Sequence, residues 1–170
     1  MAKLDFLTYD EYHNFELARS IVTTSSELKL YGCLLYKFDL QVVDNEHMTA
    51  YVTVRDNNLY MIFGSGIIKQ TKSPTKLAYI IIHEITHVLS KHISRGKGHD
   101  HELYNLAADH VINTALDNDI NSKKIRKLQI PEERFVVNCL VNKNMTTEEV
   151  YKFLQDNATK ETISIPIVGS

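Results

Sequence analysis

The run Tyr79-Ile80-Ile81-Ile82-His83-Glu84-Ile85-Thr86-His87-Val88-Leu89-Ser90-Lys91-His92 constrains this chain more than any other. It reads as a long helix with H-E-x-x-H at its centre. Residues four apart share one helix face about one turn up, so His83 and His87 aim their imidazoles at a single point. Glu84 lies roughly 100° round from His83 and flanks that point. This is the geometry of two zinc ligands with a general base for a metal-activated water. Leu77, Ala78, Ile81, Ile82, Ile85, Val88, Leu89 and Ile93 fall on the far side as an apolar stripe, which assigns that side to the core. The histidines are expected on the opposite edge, with Tyr79, Ser90 and Ser94. Ser73-Pro74 supplies an N-cap and a first-turn proline. The helix is expected to run to about Ser94, where Arg95-Gly96-Lys97-Gly98 turns the chain.

A second helix is expected over about His101 to Asp117, with Leu103, Leu106, Ala107, Val111, Ala115 and Leu116 as its apolar positions. Zinc with an open position needs at least one further protein ligand. The downstream candidates are His92, His99, His101, Glu102, Asp109 and His110. On a regular helix His92 lies ~140° from His87, inside the apolar stripe and pointing away. His99 and His101 sit in or beside the turn. Asp109 lies about as far beyond the turn as His87 lies before it; at ~1.5 Å per residue each leg is ~12 Å. Two antiparallel helices would bring Asp109 to the depth of His87. There it either ligates the metal or orients a ligand histidine from behind. His110 points ~100° away from Asp109.

The remaining chain supplies a frame. Thr8-Tyr9-Asp10-Glu11 reads as a capping box that opens a helix to about Thr23. Ser25-Ser26-Glu27 marks a break, and a second helix is expected from Leu28 to Phe38. Leu40 to Val43 reads as a strand. Thr49 to Arg55 and Leu59 to Phe63, around Asp56-Asn57-Asn58, read as a β-hairpin ended by Gly64-Ser65-Gly66. An edge strand beside the metal offers main-chain hydrogen bonds to an extended peptide. Asn118 to Gln129 reads as a polar loop, and Ile130 to Leu140 as irregular. Thr146-Thr147-Glu148-Glu149 is a second capping box opening a last helix. The expected fold class is α+β, mostly helical with a small sheet, in one domain over residues 1–157. Residues 158–170 are expected to form a C-terminal tail.

Composition narrows the function classes. A net charge of -2, with no basic run longer than Lys123-Lys124-Ile125-Arg126-Lys127, argues against nucleic acid as the main partner. The N-terminus opens no apolar segment of the signal-peptide kind, and no apolar run approaches the ~18 residues of a membrane span. Cys33 and Cys139, the only two cysteines, exclude a four-cysteine zinc site and are expected as buried thiols. These features describe a soluble, cytoplasmic protein.

His83-Glu84-Ile85-Thr86-His87-Val88-Leu89-Ser90-Lys91-His92, followed by Asn105-Leu106-Ala107-Ala108-Asp109-His110-Val111-Ile112-Asn113, resembles a known pattern. It is that of the metallopeptidase domain found next to von Willebrand factor A-like domains in bacteria and phages, H-E-x-x-H-x-x-x-x-H and then N-x-A-x-D-x-x-x-N. The resemblance covers about residues 8 to 157, with Tyr104 as a mild departure before the asparagine. It implies a zincin-like fold in which the H-E-x-x-H helix packs beside an antiparallel second site helix, and Zn2+ held by His83, His87 and Asp109. The expected activity is peptide-bond hydrolysis with Glu84 as general base, on a specific protein or on the chain's own tail at 161–170. Tyr104, His99, His101 and His110 are the side chains chemically able to stabilise an oxyanion. Two other readings compete. One is a catalytically silent, zinc-stabilised binding or assembly module. The other is a metalloprotease recruited to DNA like the SprT-type repair enzymes, against which the acidic balance and the lack of a zinc ribbon speak.

Overall fold

The computed structural model describes residues 4–157, so the expected tail at 158–170 lies outside the described residues. The fold is α+β and mostly helical, with one three-stranded sheet. Helix α1 (Tyr9–Thr24) starts on the expected capping box: Thr8 Oγ1 accepts from the Glu11 amide, and Glu11 Oε2 accepts from the Thr8 amide at 2.8 Å. A single 3-10 turn at Ser26–Leu28 then leads into α2 (Lys29–Leu35).

Strands β1 (Phe38–Val43), β2 (Ala50–Arg55) and β3 (Asn58–Gly64) form the sheet in the order β1-β3-β2. The β2–β3 hairpin turns on Asp56 and Asn57, both at positive φ (49° and 61°), a conformation that asparagine and aspartate tolerate in tight hairpins. β1 runs parallel to β3, with Phe38 opposite Leu59. That pairing draws Phe38 out of the helix expected to reach it. The sheet's ladder outweighs local helix propensity there, and α2 stops at Leu35.

After β3 the chain does not loop, as Gly64-Ser65-Gly66 suggests. It enters a short helix, α3 (Ser65–Gln70). The glycines serve close approach here. A Cβ on Gly66 would lie 2.0 Å from the Glu46 carbonyl oxygen, and one on Gly64 would lie 2.1 Å from that of Met48. Backbone bonds from Gly64 to Thr49 (2.7 Å) and from Gly66 to Asn45 (3.2 Å) fasten segment 45–49 against this corner.

Helix α4 (Pro74–Leu89) carries the motif, and its N-cap is Ser73. Its apolar side, with Leu77, Ala78, Ile81, Ile82 and Ile85 buried, joins Phe15, Ala18 and Val22 of α1 and Met61 and Phe63 of β3 in the main core. The helix ends five residues before the expected Ser94. Lys91 adopts a left-handed conformation (φ 56°, ψ 31°), and the chain restarts as one turn, α5 (His92–Arg95). Leu89 and Ile93, expected in the stripe, are therefore 44% exposed each.

Helix α6 (His101–Asn121) begins on the Asp100 cap and outruns the expected end at Asp117. Helix α7 (Thr147–Asn157) closes a second apolar cluster on α6 with Ala107, Leu140, Val150 and Leu154. Its capping box is present, with Thr146 Oγ1 accepting from the Glu149 amide. No helix among the described residues is long and apolar enough to cross a membrane. Cys33 and Cys139 are free, but both are exposed rather than buried. On α2 the buried residues are Gly32 and Leu35, and Cys33 falls off that face.

The corner at Gly66 yields a test of this packing. Gly66→Ala should lower stability by roughly 2 kcal/mol or more, because the clash is with backbone that cannot rotate away. Urea denaturation followed by circular dichroism measures this; an unchanged midpoint would contradict the close approach.

Candidate metal centre

Helices α4 and α6 meet along a polar seam. Tyr79 reaches Asn113 and Asp117, His83 reaches Asn113 and Asp109, and His87 reaches Asp109. Residue numbers rise along one helix as they fall along the other, so the pair is antiparallel. Tyr79 and His87 are buried in this seam, at 2% and 7% exposure, although the apolar pattern placed them on an edge away from the core. A second packed surface covers that edge.

Three donor atoms converge there. His83 Nε2 lies 3.2 Å and His87 Nε2 3.0 Å from Asp109 Oδ1, and the two Nε2 atoms are 3.0 Å apart. Tetrahedral coordination at ~2.0–2.1 Å puts neighbouring ligand atoms roughly 3.3 Å apart, close to these separations. Among the described residues, this is the group of histidine and carboxylate side chains with metal-binding spacing.

The far side of each imidazole is held as well. Asn113 Nδ2 donates to the Phe135 carbonyl at 3.0 Å, which turns Asn113 Oδ1 toward His83 Nδ1 at 2.8 Å. His83 must donate to that oxygen, so Nδ1 keeps a proton and Nε2 is the nitrogen left to give up its own to a cation. His87 Nδ1 lies 3.2 Å from Nδ1 of His92, whose Nε2 lies 3.1 Å from Thr147 Oγ1. The expectation that His92 points away into the apolar stripe is thus overturned. It rested on a regular helix, and the left-handed Lys91 swings His92 back, 5% exposed, against His87.

Burial lowers the His83 imidazole, but its bond to Asp109 and that carboxylate's charge prevail and raise it above its ordinary value, so without a cation a proton on Nε2 faces Asp109. Burial pushes the Asp109 carboxyl up, but its bonds to His83 and His87 prevail and hold it below the ordinary carboxylate range. Burial also lowers His87 and takes His92 down to about 4, keeping both imidazoles neutral near pH 7. Two imidazole nitrogens, of His83 and His87, and an ionised carboxylate around one point form a donor set that fits a divalent cation, which would displace the proton from His83 Nε2.

Glu84 is 4% exposed and lines two clefts. The first, about 720 Å³, also takes in His83, segment 46–50 and segment 131–135. The second, about 520 Å³, takes in His87, Tyr51 to Thr53 of β2, and His101. Edge strand β2 therefore runs past the metal-binding group from one cleft to the other. Burial pushes the Glu84 carboxyl up to about 8, against the pull of His83 and with the push of Asp109. A carboxyl that titrates near neutrality can exchange a proton at ordinary pH.

The other candidate side chains separate. His110 is buried on the far side of α6, where its Nδ1 accepts from the Val137 amide at 3.0 Å. Tyr104 is buried with its hydroxyl donating to Glu148 at 3.1 Å, and burial with that carboxylate raises it to about 12. His99 packs on the rings of Tyr104 and Tyr151, and Glu102 is exposed. His101 remains on the wall of the second cleft. The supporting set of Asn113, His92 and Thr147 escapes sequence reasoning, although Asn113 closes the second motif and sits four residues beyond Asp109.

A family model described as "Putative metallopeptidase domain" matches residues 16–163. No curated protein and no solved structure matches this chain.

The raised Glu84 carboxyl makes a prediction for the metal-free protein. A carboxyl with a folded-state pKa near 8 contributes stability below its ordinary value of 4.5 and loses it as pH rises through 8. Glu84→Gln imitates the neutral form and avoids that loss. Its melting temperature should equal the parent's near pH 4.5 and exceed it by roughly 5 °C at pH 8.5. Scanning calorimetry in chelator reads the gap, and a gap that does not widen with pH contradicts the assigned burial.

Proposed function

Because the chain belongs to the metallopeptidase-domain family matched over residues 16–163, we propose that it is a zinc-dependent metallopeptidase. His83, His87 and Asp109 hold the metal, and Glu84 is the general base. The observation that carries this reading is the convergence of three donor atoms, two on buried residues and one on half-buried His83, beside Glu84, where two clefts meet along a sheet edge. Zinc is favoured over harder ions because two of the three donors are imidazole nitrogens.

Each residue has a task that follows from its position. When bound, the ion supplies Lewis acidity toward a carbonyl and a water. Glu84, on the wall of both clefts, takes a proton from the attacking water and passes it to the leaving amine. Asn113 keeps the His83 proton on Nδ1, so that Nε2 faces the ion. The outer edge of β2 offers main-chain hydrogen bonds to an extended peptide, which would lay a scissile carbonyl across the motif. The substrate is a protein or peptide, either a specific partner or the chain's own segment 161–170. We expect neither a nucleic acid nor a membrane as partner, and a cytoplasmic site of action.

Metal analysis beside mass spectrometry of incubated peptide mixtures tests the assignment. The parent should carry about one zinc per chain and cleave. Asp109→Ala should lose most of the zinc, and Glu84→Gln should keep it while cleavage falls by roughly 10²-fold or more. Equal zinc in the Asp109→Ala variant would move the third ligand elsewhere. Zinc bound by the parent with no peptide cut would favour the silent binding module.

A further inference from the structure

The described residues contain one feature that peptide hydrolysis does not itself require: a buried chain of polar side chains leading from the metal-binding group to α7. It runs from His87 Nδ1 to His92 Nδ1 at 3.2 Å, and from His92 Nε2 to Thr147 Oγ1 at 3.1 Å. All three residues are buried, at 7%, 5% and 2% exposure. Thr147 lies 60 positions beyond His87, at the start of α7.

The backbone is bent to make this chain. An unbroken α4 would carry the residue at position 92 away from His87. Instead Lys91 takes a left-handed conformation that is unfavourable for a non-glycine residue. Such a conformation persists where the surroundings demand it. The surroundings here are specific. The Arg95 guanidinium donates to Glu148 through Nε (2.9 Å) and Nη2 (2.7 Å) and to the Ser90 carbonyl through Nη1 (2.9 Å), and Tyr104 donates to the same Glu148. These bonds clamp α5 onto the first turn of α7, so Thr147 faces His92.

We propose that His92, backed by Thr147, is a positioning residue that fixes the tautomer and ring orientation of His87 for metal binding. Two nitrogens 3.2 Å apart need one proton between them. With His87 Nε2 turned to the cation, the His87 proton sits on Nδ1 and is donated to the Nδ1 lone pair of His92. His92 then carries its own proton on Nε2 and donates it to Thr147 Oγ1. Without the cation the same chain satisfies the opposite order: Thr147 donates to His92 Nε2, His92 donates through Nδ1 to His87, and His87 donates through Nε2 to Asp109. The hydroxyl can donate or accept, which is why threonine suits the end of the relay. His92 thereby supports the ligand from behind without touching the ion. This inference rests on the metal-site reading above.

The test compares zinc dissociation constants, by competition with a chromophoric chelator, for the parent and for His92→Phe, His92→Asn and Thr147→Val. Asparagine places its Oδ1 where His92 has Nδ1, keeping the acceptor for His87 in a smaller side chain; phenylalanine keeps the volume and removes the acceptor. His92→Phe should bind zinc roughly 10–100-fold more weakly, His92→Asn within about threefold of the parent, and Thr147→Val in between. The visible spectrum of the Co2+-substituted protein should shift in His92→Phe and not in His92→Asn. A packing role would reverse the order, with phenylalanine tolerated and asparagine damaging. Circular dichroism of the metal-free variants establishes folding, and Thr147→Val, which keeps shape, gives the answer should His92→Phe fail to fold. Parent-like affinity in both His92→Phe and Thr147→Val overturns the proposal while leaving the metal site standing; a parent that binds no zinc overturns both.

Discussion

Two imidazole nitrogens held 3.0 Å apart, with a carboxylate oxygen 3.0–3.2 Å from each, set the terms for the rest of the structure. Lone pairs that crowd together need a proton or a cation to share, and burial removes the water that would screen them. Something must therefore press them into place. That force comes from the opposite side of α4, whose apolar residues lock into α1 and β3. The helix has one side that is held because it is oily and another that is held by hydrogen bonds. The first makes the second possible: Tyr79, His83 and His87 can be arrayed along α6 only because Leu77, Ile81 and Ile85 already fix the rotation of α4 about its own axis.

The seam explains which parts of the molecule could be read from sequence. The helical spacing of His83 and His87 is a property of one element, and so is the side of α6 on which Asp109 and Asn113 lie. The antiparallel pairing of α4 with α6 followed from a turn rich in glycine and two legs of equal length. The capping boxes at Thr8 and Thr146 and the Asp56-Asn57 hairpin were legible because each is a local bargain between neighbouring residues. His92 was not legible. Its place depends on a lysine in a left-handed conformation that sequence does not mark, since glycine is the usual sign. That conformation is in turn held by Arg95 and Glu148, 53 residues apart. The short helix α3 and the early end of α2 were hidden for a related reason: a parallel strand pair and a close backbone approach decide them, and both involve distant chain.

The contacts that brace the histidines also say how the last third of the described chain takes part. Residues 131–140 contribute little to the main core; Phe135 matters through its carbonyl, which orients Asn113. Helix α7 packs an apolar cluster on α6, and from its first turn Thr147 and Glu148 also brace His92 and α5. Both segments also reach the seam itself through polar bonds. Such bonds are directional, which suits a task where an imidazole must be aimed and not merely packed.

The same two regions bound the clefts. Segment 131–135 walls the first and α5 the second, so each wall touches both a prospective substrate and a group that supports a donor imidazole. The first cleft is walled by Phe135, whose carbonyl turns Asn113 toward His83. The second is walled by Ile93 and Gly96, next to His92 and the Arg95 clamp. Ligand aim and cleft shape therefore draw on the same short segments in this fold. A peptide laid along β2 would be read by the same side chains that keep the donor atoms pointed at their common centre.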